Sequence, residues 1–427
     1  MDIQPDYTVE DRFFAPLENA LETATHTHVC PSFPDSAFLR SGAGRCLHAV
    51  RSGREWVQAL RDILRKPITV NNFFQALRSE RRLALVKEIN DELIGQCAID
   101  PPADPFADQE ELEGFALFAG DGHVHACSTH EEPIQEKRRS PAHLFMLDLR
   151  SRALSHLEIT RVEDKDNPNR KSEHELRMLK RVPIKTLRMN QPTGTKVLIA
   201  YDRAVIDFEQ WHKWKQGSGI YILTREKANM ALGVIGENIV DRSDPRNLGV
   251  EADQLVGHSK GRCIRRVIYT DPLSGTTYRF ITNEMTVPPG LIAAIYKSRW
   301  DIEKTFDELK NKLLEGKSWA KSSTSKCIHG TFLCLTHNLL VLLENTLERE
   351  EGIRDEKVLR RRAAREAKNT AQAKAENRPA NPLLSLARRA TQRSSQFLRW
   401  LRRVLLTKTP WRQAIVNLRP LMQHYLN

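Results

Sequence analysis

The sequence predicts an α/β protein with a mixed sheet, and three observations support this class. Residues 195–202 (TKVLIAYD) form a short apolar run that is typical of a buried strand. Residues 142–151 and 153–160 are predicted as two further strands separated by a tight turn. Residues 79–94 carry apolar residues at helical spacing. The 427 residues suffice for one large domain with appendages, or for two to three domains.

Composition favours a cytoplasmic protein. No apolar run reaches the roughly 18 residues that span a bilayer, and the N-terminus is acidic and lacks a signal-peptide core. The seven cysteines are scattered and include no Cys-x-x-Cys pair, which fits a reducing compartment and argues against a zinc finger.

The positive charge is concentrated at the C-terminal end. Residues 351–427 hold 18 Lys and Arg against 5 Asp and Glu, whereas the rest of the chain is close to neutral. A basic segment attracts polyanions and releases their counterions on binding. Nucleic acid is the partner that this pattern favours; a membrane surface and a merely solvated tail are the alternatives.

The N-terminal module, residues 1–105, is predicted to be mostly helical after a loose start. Residues 54–66 and 79–94 have helical periodicity, with Ser79 as an N-cap, and a short helix (VNNFFQAL) lies between them. Such a module could bind DNA ends, but it shows no convincing helix-turn-helix, and a helical packing domain is the alternative. Residues 98–111 are rich in Pro and Asp and are predicted to be a linker.

Residues 113–226 contain the first part of the predicted core. A strand over 113–130, with a glycine break around Asp121, precedes the two strands of 142–160. The remaining elements follow in the order helix, buried strand, helix, strand, over 172–182, 195–202, 203–216 and 219–226. This order predicts a ribonuclease-H-like mixed sheet.

The rest of the chain divides into three regions. Residues 227–290 are predicted to be a β-rich insertion, because 263–270 and 276–283 flank the turn signal DPLSG. Residues 291–348 form the second part of the core, with one helix over about 288–314 and an apolar helix over 331–348. Residues 349–427 are predicted to be a basic helical tail.

The helix over 288–314 carries an unusual polar stripe. At about 100° per residue, and with Ile295 at zero, Tyr296, Arg299, Glu303 and Lys310 fall near 100°, 40°, 80° and 60°. An apolar stripe that would dock the helix adjoins them and consists of Ile295, Ile302, Phe306, Leu309 and Leu313. A solvated face with an Arg299–Glu303 ion pair is the simpler alternative, but it does not require Tyr296 and Lys310.

The pattern Tyr-x2-Arg-x3-Glu-x6-Lys resembles the signature of DDE-class insertion-sequence transposases that carry the YREK motif (IS4-like). The resemblance covers about residues 113–345. It implies a ribonuclease-H-like catalytic core, DNA cleavage at element ends and strand transfer into target DNA. It also implies a homodimer that holds two ends of double-stranded DNA.

Three acids are candidates for a two-metal phosphodiester site. Asp121 lies in a strand-like segment between two glycines, and Asp202 ends the apolar run KVLIAY. A turn aspartate, a helix N-cap and the competing Asp207 are the alternatives. In the family that the signature resembles, the first acid lies on the first core strand. The second follows the fourth strand, and the third belongs to the signature helix. These positions correspond to Asp121, Asp202 and Glu303.

The resemblance and the charges imply roles for these residues. Asp121 and Asp202 would hold one Mg²⁺ jointly and Glu303 would complete the site for a second, with Mn²⁺ tolerated in its place. Arg299 and Lys310 would bind phosphates, and Tyr296 could donate a hydrogen bond to one. Arg225, in LTREK, resembles the arginine that ends a family strand after the second acid. No organic cofactor is expected.

Two other functions remain open at this stage. His123, His125 and Cys127 alternate after Asp121 and would share one face of a strand, which also occurs in zinc-dependent hydrolases. An inactive, transposase-derived DNA-binding protein is the other alternative. The simplest interpretation of His123 and His125 is that they are ordinary polar residues of a half-exposed strand beside the site.

Overall fold

The structure is a computed structural model, and it describes residues 7–48, 50, 52–64, 68–99, 101, 104–126, 128, 140–161, 173–257, 263–313, 317–354, 356–385 and 393–423.

Five helices precede the sheet: α1 (Val9–Thr23), α2 (Asp35–His48), α3 (Gly53–Leu64), α4 (Val70–Ala76) and α5 (Glu80–Ile99). The predicted N-cap of α5 is confirmed, since the Arg82 N–H donates to Ser79 Oγ at 3.3 Å. Helix α1 falls in the segment that was predicted to be a loose start. Its first turn is closed by a capping box between Thr8 and Asp11.

Nine strands among the described residues form one sheet: β1 (Phe115–Val124), β2 (Ala142–Asp148), β3 (Leu154–Ile159), β4 (Lys196–Ala200), β5 (Ile220–Arg225), β6 (Gly233–Glu237), β7 (Val250–Gly257), β8 (Cys263–Thr270) and β9 (Thr277–Thr282). Their order is β3-β2-β1-β4-β5-β9-β8-β7-β6. The first strand is antiparallel to β2 and parallel to β4, which is parallel to β5. The predicted fold class is confirmed, because this mixed α/β arrangement is consistent with a ribonuclease-H-like fold.

The strands of the predicted insertion extend the same sheet. Antiparallel pairing joins β5 to β9, and the predicted hairpin is present as β8 and β9, with Thr270 opposite Thr277. Two further strands, β6 and β7, continue the sheet beyond β8. The insertion therefore lies beside the core strands in the sheet plane, not above the sheet.

Alternation along the central strands divides the core into two layers. Leu117, Ala119, Leu198 and Ala200 point into the larger core, and Ala116, Phe118, Val197 and Ile199 point into the smaller one. The smaller core is covered by α6 (Glu175–Arg181), α7 (Ile184–Leu187) and α8 (Phe208–Ser218). The larger core is covered by α9 (Pro289–Ser298), α10 (Trp300–Lys312) and α11 (Ser323–Glu351), together with the N-terminal helices.

Helix α11 is the central element of the helical layer. It contacts α1, α2, α5 and β3, and the rings of Phe38 and Phe332 meet at 5.4 Å. A Cβ atom built on Gly42 of α2 would lie 2.2 Å from the ring of Phe332 in α11, so a side chain at this position would require that buried ring to shift. By length and composition α11 could cross a membrane, but 83% of its most apolar stretch is buried inside the fold.

Three helices follow α11: α12 (Glu356–Ala375), α13 (Ser395–Leu406) and α14 (Trp411–Met422). Most described side chains of α12 are exposed. In contrast, α13 and α14 bury Phe397, Trp400, Leu401, Trp411 and Leu418. The backbone of this pair is tied to the start of α1, because Trp411 N–H donates to the Tyr7 carbonyl at 2.8 Å. The basic segment thus combines one exposed helix with two core helices.

Candidate active site

The signature stretch is two helices instead of the single helix that was predicted. Helix α9 ends at Ser298 and α10 begins at Trp300, with Arg299 at the junction. The Arg299 N–H donates to the Tyr296 carbonyl, and the Ile302 N–H donates to the Arg299 carbonyl, both at 3.1 Å. Since these are i to i−3 bonds, the backbone tightens locally into a 3₁₀-like turn.

The apolar stripe of the signature docks as predicted. All five of its members are buried and belong to the larger core: Ile295, Ile302, Phe306, Leu309 and Leu313. Helix α10 packs on β1. This packing places the residues at the start of α10 beside the middle of the first strand.

Arg299 joins two of the three candidate acids. Its guanidinium donates to Asp121 Oδ2 at 3.2 Å and to Glu303 Oε1 at 2.7 Å. The Arg299 side chain is only 5% exposed, against 16% for Asp121 and 36% for Glu303. The Arg299–Glu303 ion pair that a solvated helix face would show is therefore present. It is partly buried, however, and Arg299 also pairs with Asp121 on the sheet.

Asp121 on β1 and Asp202, just after β4, lie at matching positions along two neighbouring parallel strands. Ala119 of β1 is paired with Ala200 of β4, and each acid lies two residues further along its chain. Strand β1 runs through Asp121 without the predicted break. Burial raises the pKa of Asp121 to about 6; Arg299 opposes the rise, and Asp202 and Glu303 add to it. Asp202 and Glu303 are therefore both close enough to Asp121 to raise its pKa.

Asp202 also fills the alternative role that was considered for it. Its Oδ1 accepts a hydrogen bond from the Ala204 N–H at 2.7 Å, which caps the short 3₁₀ turn Arg203–Val205. Asp207, the competing acid, caps α8 and forms an ion pair with Lys180 at 2.6 Å. Asp207 therefore links α8, which it caps, to Lys180 of α6.

The other signature residues occupy different environments. Tyr296 is buried, and its ring packs on Phe280 with 4.9 Å between centroids. The Arg299 guanidinium lies 5.6 Å from the centre of the Tyr296 ring. Lys310 is exposed further along α10. Arg225 ends β5 and is half-buried; its Nε has no hydrogen-bond partner among the residues that the structure describes.

The strand histidines are packed among rings. His123 stacks on Phe306 with centroids 4.5 Å apart, and His125 stacks on His143 at 3.8 Å. Burial lowers the pKa of His125 well below its ordinary value, and the neighbouring histidines lower it further. Cys127 lies outside the described residues. Nothing in this packing favours a zinc hydrolase.

A fourth acid, Glu175, approaches the site and was not predicted from the sequence. It is the first residue of α6. Burial, with smaller contributions from Asp202 and Asp121, raises its pKa to about 7. An acid at the start of a helix is usually a favourable partner of the helix dipole, so its position alone gave no reason to select it. The available signal was Gly122, whose missing side chain leaves room for the carboxylate.

The donor chemistry of the site fits a divalent cation. The carboxylates of Asp121, Asp202 and Glu303 come from β1, from the second residue after β4 and from α10, and hard cations prefer such oxygens. Mutual repulsion contributes to the raised pKa of Asp121, and a cation would relieve it. Within the described part of the chain no three His, Cys, Asp or Glu residues are already arranged to hold a metal ion. In this arrangement the Arg299 guanidinium is the cation that Asp121 and Glu303 share.

Comparison with known proteins connects this site to a family. A family model described as "Transposase DDE domain" matches residues 169–339. That range includes Asp202, Glu303 and Arg225, whereas Asp121 precedes it.

One curated relative also matches part of the chain. A protein of Sinorhizobium fredii (strain NBRC 101917 / NGR234) named "Putative transposase y4zB" is 28% identical over 118 residues, which is 26% of this chain and 33% of that protein. The chain thus spans about a third of the length of this relative. Both matches are thus to transposases.

Proposed function

We propose that this chain is a DDE transposase of the YREK-signature (IS4-like) group that cleaves DNA at the ends of an insertion sequence and transfers the cleaved strands into target DNA. One observation carries the proposal: Arg299 bridges Asp121 on the first strand and Glu303 on the signature helix, beside Asp202. The match of residues 169–339 to the transposase DDE domain supports it.

The acids are proposed to hold two divalent ions. DDE transposases typically use such ions, and we infer Mg²⁺ from the all-oxygen donor set. When bound, the ions activate the attacking oxygen and stabilise the departing one. Asp121 and Glu303 each use one carboxylate oxygen, Oδ2 and Oε1, to accept a hydrogen bond from Arg299. The planar array of donors on the Arg299 guanidinium is well suited to bind a phosphate beside these carboxylates.

The remaining signature residues are proposed to position DNA. Lys310 is exposed on α10, and Arg225 ends β5, so both can contribute positive charge near the carboxylates. Tyr296 is buried under Arg299, where its ring supports the guanidinium. Its hydroxyl is the part that we infer to contact a phosphate.

Double-stranded DNA is the proposed partner, both as element ends and as target. The transposase family implies DNA binding. We infer a homodimer that pairs two ends, in the bacterial cytoplasm. The N-terminal helices α1–α5 are the proposed end-binding module, and α12 is a proposed site of backbone contact because its exposed residues include Arg360, Arg365, Lys368 and Lys374.

The test is an excision assay on a plasmid that carries the gene with its own flanking DNA, in the presence of Mg²⁺. Wild type should excise, and Glu303→Gln should not, while binding of the element ends is retained. Asp307→Asn is the matched control, since Asp307 is exposed on the same helix and accepts a hydrogen bond from Asn311, one turn away. This variant should excise normally.

The other outcomes separate the alternatives. Excision by Glu303→Gln would remove Glu303 from the site. No excision by wild type, with end binding intact, would indicate an inactive transposase-derived DNA-binding protein. Loss of both activities in wild type would reopen the zinc-hydrolase hypothesis.

A further inference from the structure

We propose that Thr224 is a positioning residue for strand cleavage, because its hydroxyl group holds the backbone segment that carries Asp202. This inference rests on the proposed function, since it assumes that Asp202 acts together with Asp121 and Glu303. Thr224 lies on β5 and carries no charge. It acts by fixing where the Asp202 carboxylate lies, not by touching DNA or an ion.

A side-chain hydrogen bond attaches Asp202 to β5. The Thr224 hydroxyl donates to the backbone carbonyl of Asp202, with 2.8 Å between the two oxygens. One residue earlier, the Tyr201 N–H donates to the Leu223 carbonyl at 2.9 Å, so the chain is still paired with β5 there. At Asp202 the chain leaves the sheet and enters the 3₁₀ turn Arg203–Val205. The Thr224 hydroxyl therefore extends the attachment to β5 by one residue, to the acid itself.

The turn that follows Asp202 is held by side chains at both ends. The Ala204 N–H donates to Asp202 Oδ1 at 2.7 Å, so the direction of the carboxylate follows the conformation of the turn. At the far end, the Trp211 indole N–H donates to the Val205 carbonyl at 3.0 Å. Thr224 holds the near end through the Asp202 carbonyl. A shift of the backbone at that end would therefore move the carboxylate with it.

Thr224 lies on the face of the sheet opposite the acids. Leu223 points into the larger core, and Ile281, the strand partner of Thr224, points into the smaller one. Because successive residues of a strand face opposite sides, Thr224 faces the smaller core. Ala119 points into the larger core, so Asp121, two residues further along β1, lies on that other face. The Thr224 side chain is also 0% exposed, and it therefore acts on the site only through the backbone.

The experiment compares wild type, Thr224→Val and Thr224→Ser. Valine keeps the shape of threonine and lacks the hydroxyl, whereas serine keeps the hydroxyl and lacks the methyl group. One assay measures Mn²⁺ binding to the full-length protein without DNA, by electron paramagnetic resonance. The other measures excision from the plasmid that carries the gene with its own flanking DNA.

The hydroxyl predicts opposite results for the two variants. Thr224→Val should bind Mn²⁺ about ten- to a hundred-fold more weakly, as is typical when a group that orients a metal ligand is removed. Its excision should fall as well, since a displacement of a reacting group by about 1 Å can lower a rate about 10²-fold. Thr224→Ser should stay close to wild type in both assays.

Thr336→Val is the matched control for the loss of a buried hydroxyl. Thr336 is also 0% exposed, and its hydroxyl donates to the Phe332 carbonyl at 2.7 Å within α11. Because that bond lies inside a core helix, Thr336→Val should keep the Mn²⁺ affinity and the excision of wild type. Urea unfolding measures the stability cost of each variant. If Thr224→Val does not unfold cooperatively, Thr224→Ala and Thr224→Ser replace it as the comparison, because these two differ by the hydroxyl alone.

The outcomes distinguish this inference from the proposed function. Wild-type Mn²⁺ affinity in Thr224→Val would overturn the inference, and excision that depends on Glu303 would then leave the function standing. Equal losses in Thr224→Val and Thr224→Ser would also overturn it, because the methyl group would then be responsible. Absence of both saturable Mn²⁺ binding and excision in wild type would overturn the proposed function together with the inference.

Discussion

Glu308 of α10 and Arg393, just before α13, form an ion pair that is buried on both sides, with side-chain exposures of 0% and 2%. The Arg393 backbone N–H also donates to Glu308 Oε2 at 2.5 Å, and its guanidinium lies 3.1 Å from Glu344 of α11. Helices α10 and α11 of the predicted core are thus both bonded to Arg393 of the C-terminal segment. The signature helix depends for its support on a residue 85 positions away in the chain.

We expect Arg393→Met to lower the free energy of unfolding by about 3–5 kcal/mol, because it leaves Glu308 buried without its partner. Burial already raises the pKa of Glu308 against the opposing effect of Arg393. Urea unfolding measures the loss. Replacing both residues, as Glu308→Leu with Arg393→Met, should recover much of it, since no charge is then buried. An unchanged unfolding midpoint in the single variant would show that the pair does not stabilise the fold.

A second prediction concerns the metal-free protein and pH. The folded-state pKa of Asp121 is about 6, above its ordinary 3.8, so the folded state binds the proton more tightly than the unfolded state does. Ionisation of Asp121 therefore lowers the free energy of unfolding as pH rises from about 4 to 6, by about 3 kcal/mol in total. Asp121→Asn should be more stable than wild type above pH 6 and equal to it below pH 4, in chelator-treated protein.

Asp207→Asn is the control with the opposite sign. Burial raises the pKa of Asp207, but Lys180 and the Gln210 N–H outweigh it and lower the pKa below its ordinary value. Its contribution is present above the ordinary pKa and lost as pH falls through the folded-state pKa. Asparagine retains the N-cap, so Asp207→Asn should be less stable than wild type at pH 7, with a difference that shrinks in acid. If Asp121→Asn and Asp207→Asn both stabilised the protein at pH 7, or both destabilised it, the opposite pKa shifts assigned to these two acids would be wrong.

A third prediction concerns the exposed charges of α12. Deleting residues 351–427 would remove α13 and α14 from the core, so point substitutions are the cleaner test. Changing Arg360, Arg365, Lys368 and Lys374 to Gln should weaken DNA binding and flatten its salt dependence, by roughly 0.9 in slope for each phosphate that is no longer neutralised. The measurement is end binding as a function of salt concentration.

The control for α12 changes four exposed cations of α13, its following loop and α14: Arg399, Arg403, Lys408 and Arg412. Equal flattening in both variants would indicate an effect of overall charge. An unchanged slope in the α12 variant would show that this helix does not contact DNA.

A fourth prediction uses Gly120, whose Cβ would lie 2.4 Å from the Tyr201 ring. Gly120→Ala should cost about 1–3 kcal/mol through overpacking, as measured by urea unfolding. Gly95→Ala is the control, since nothing lies within 4 Å of a Cβ at that position in α5. There, helix propensity favours alanine by up to about 1 kcal/mol. Equal stability of the two variants would mean that Tyr201 has room to move.

Patterns within short stretches of sequence predicted most of the helices, strands and turns, because neighbouring residues largely determine these elements. The run KVLIAY became β4, the DPLSG turn separates β8 from β9, and the apolar stripe of the signature docks in the core. The spacing of polar residues indicated that Arg299 and Glu303 would meet, and they do. The break at Arg299 was not predicted, because both helices have good helical sequence on either side of it.

Long-range contacts account for what the sequence did not predict. Arg299 reaches Asp121 across 178 positions, and the Glu175 carboxylate occupies the space that a side chain at Gly122 of β1 would fill. The amphipathic pattern of α13 and α14 is visible in the sequence, but not the surface on which it packs, which for α13 includes α1. No spacing rule within one element contains this information. The catalytic roles of Asp121, Asp202 and Glu303 stay predictions.

The close approach of Gly42 to Phe332 has an evolutionary consequence. Proteins often change what they recognise by exchanging a whole module for another, which requires an interface that tolerates a foreign surface. Here a methyl group at Gly42 of α2 would require the buried Phe332 ring of α11 to shift. A transplanted N-terminal segment would leave α11 with a poorly matched neighbour.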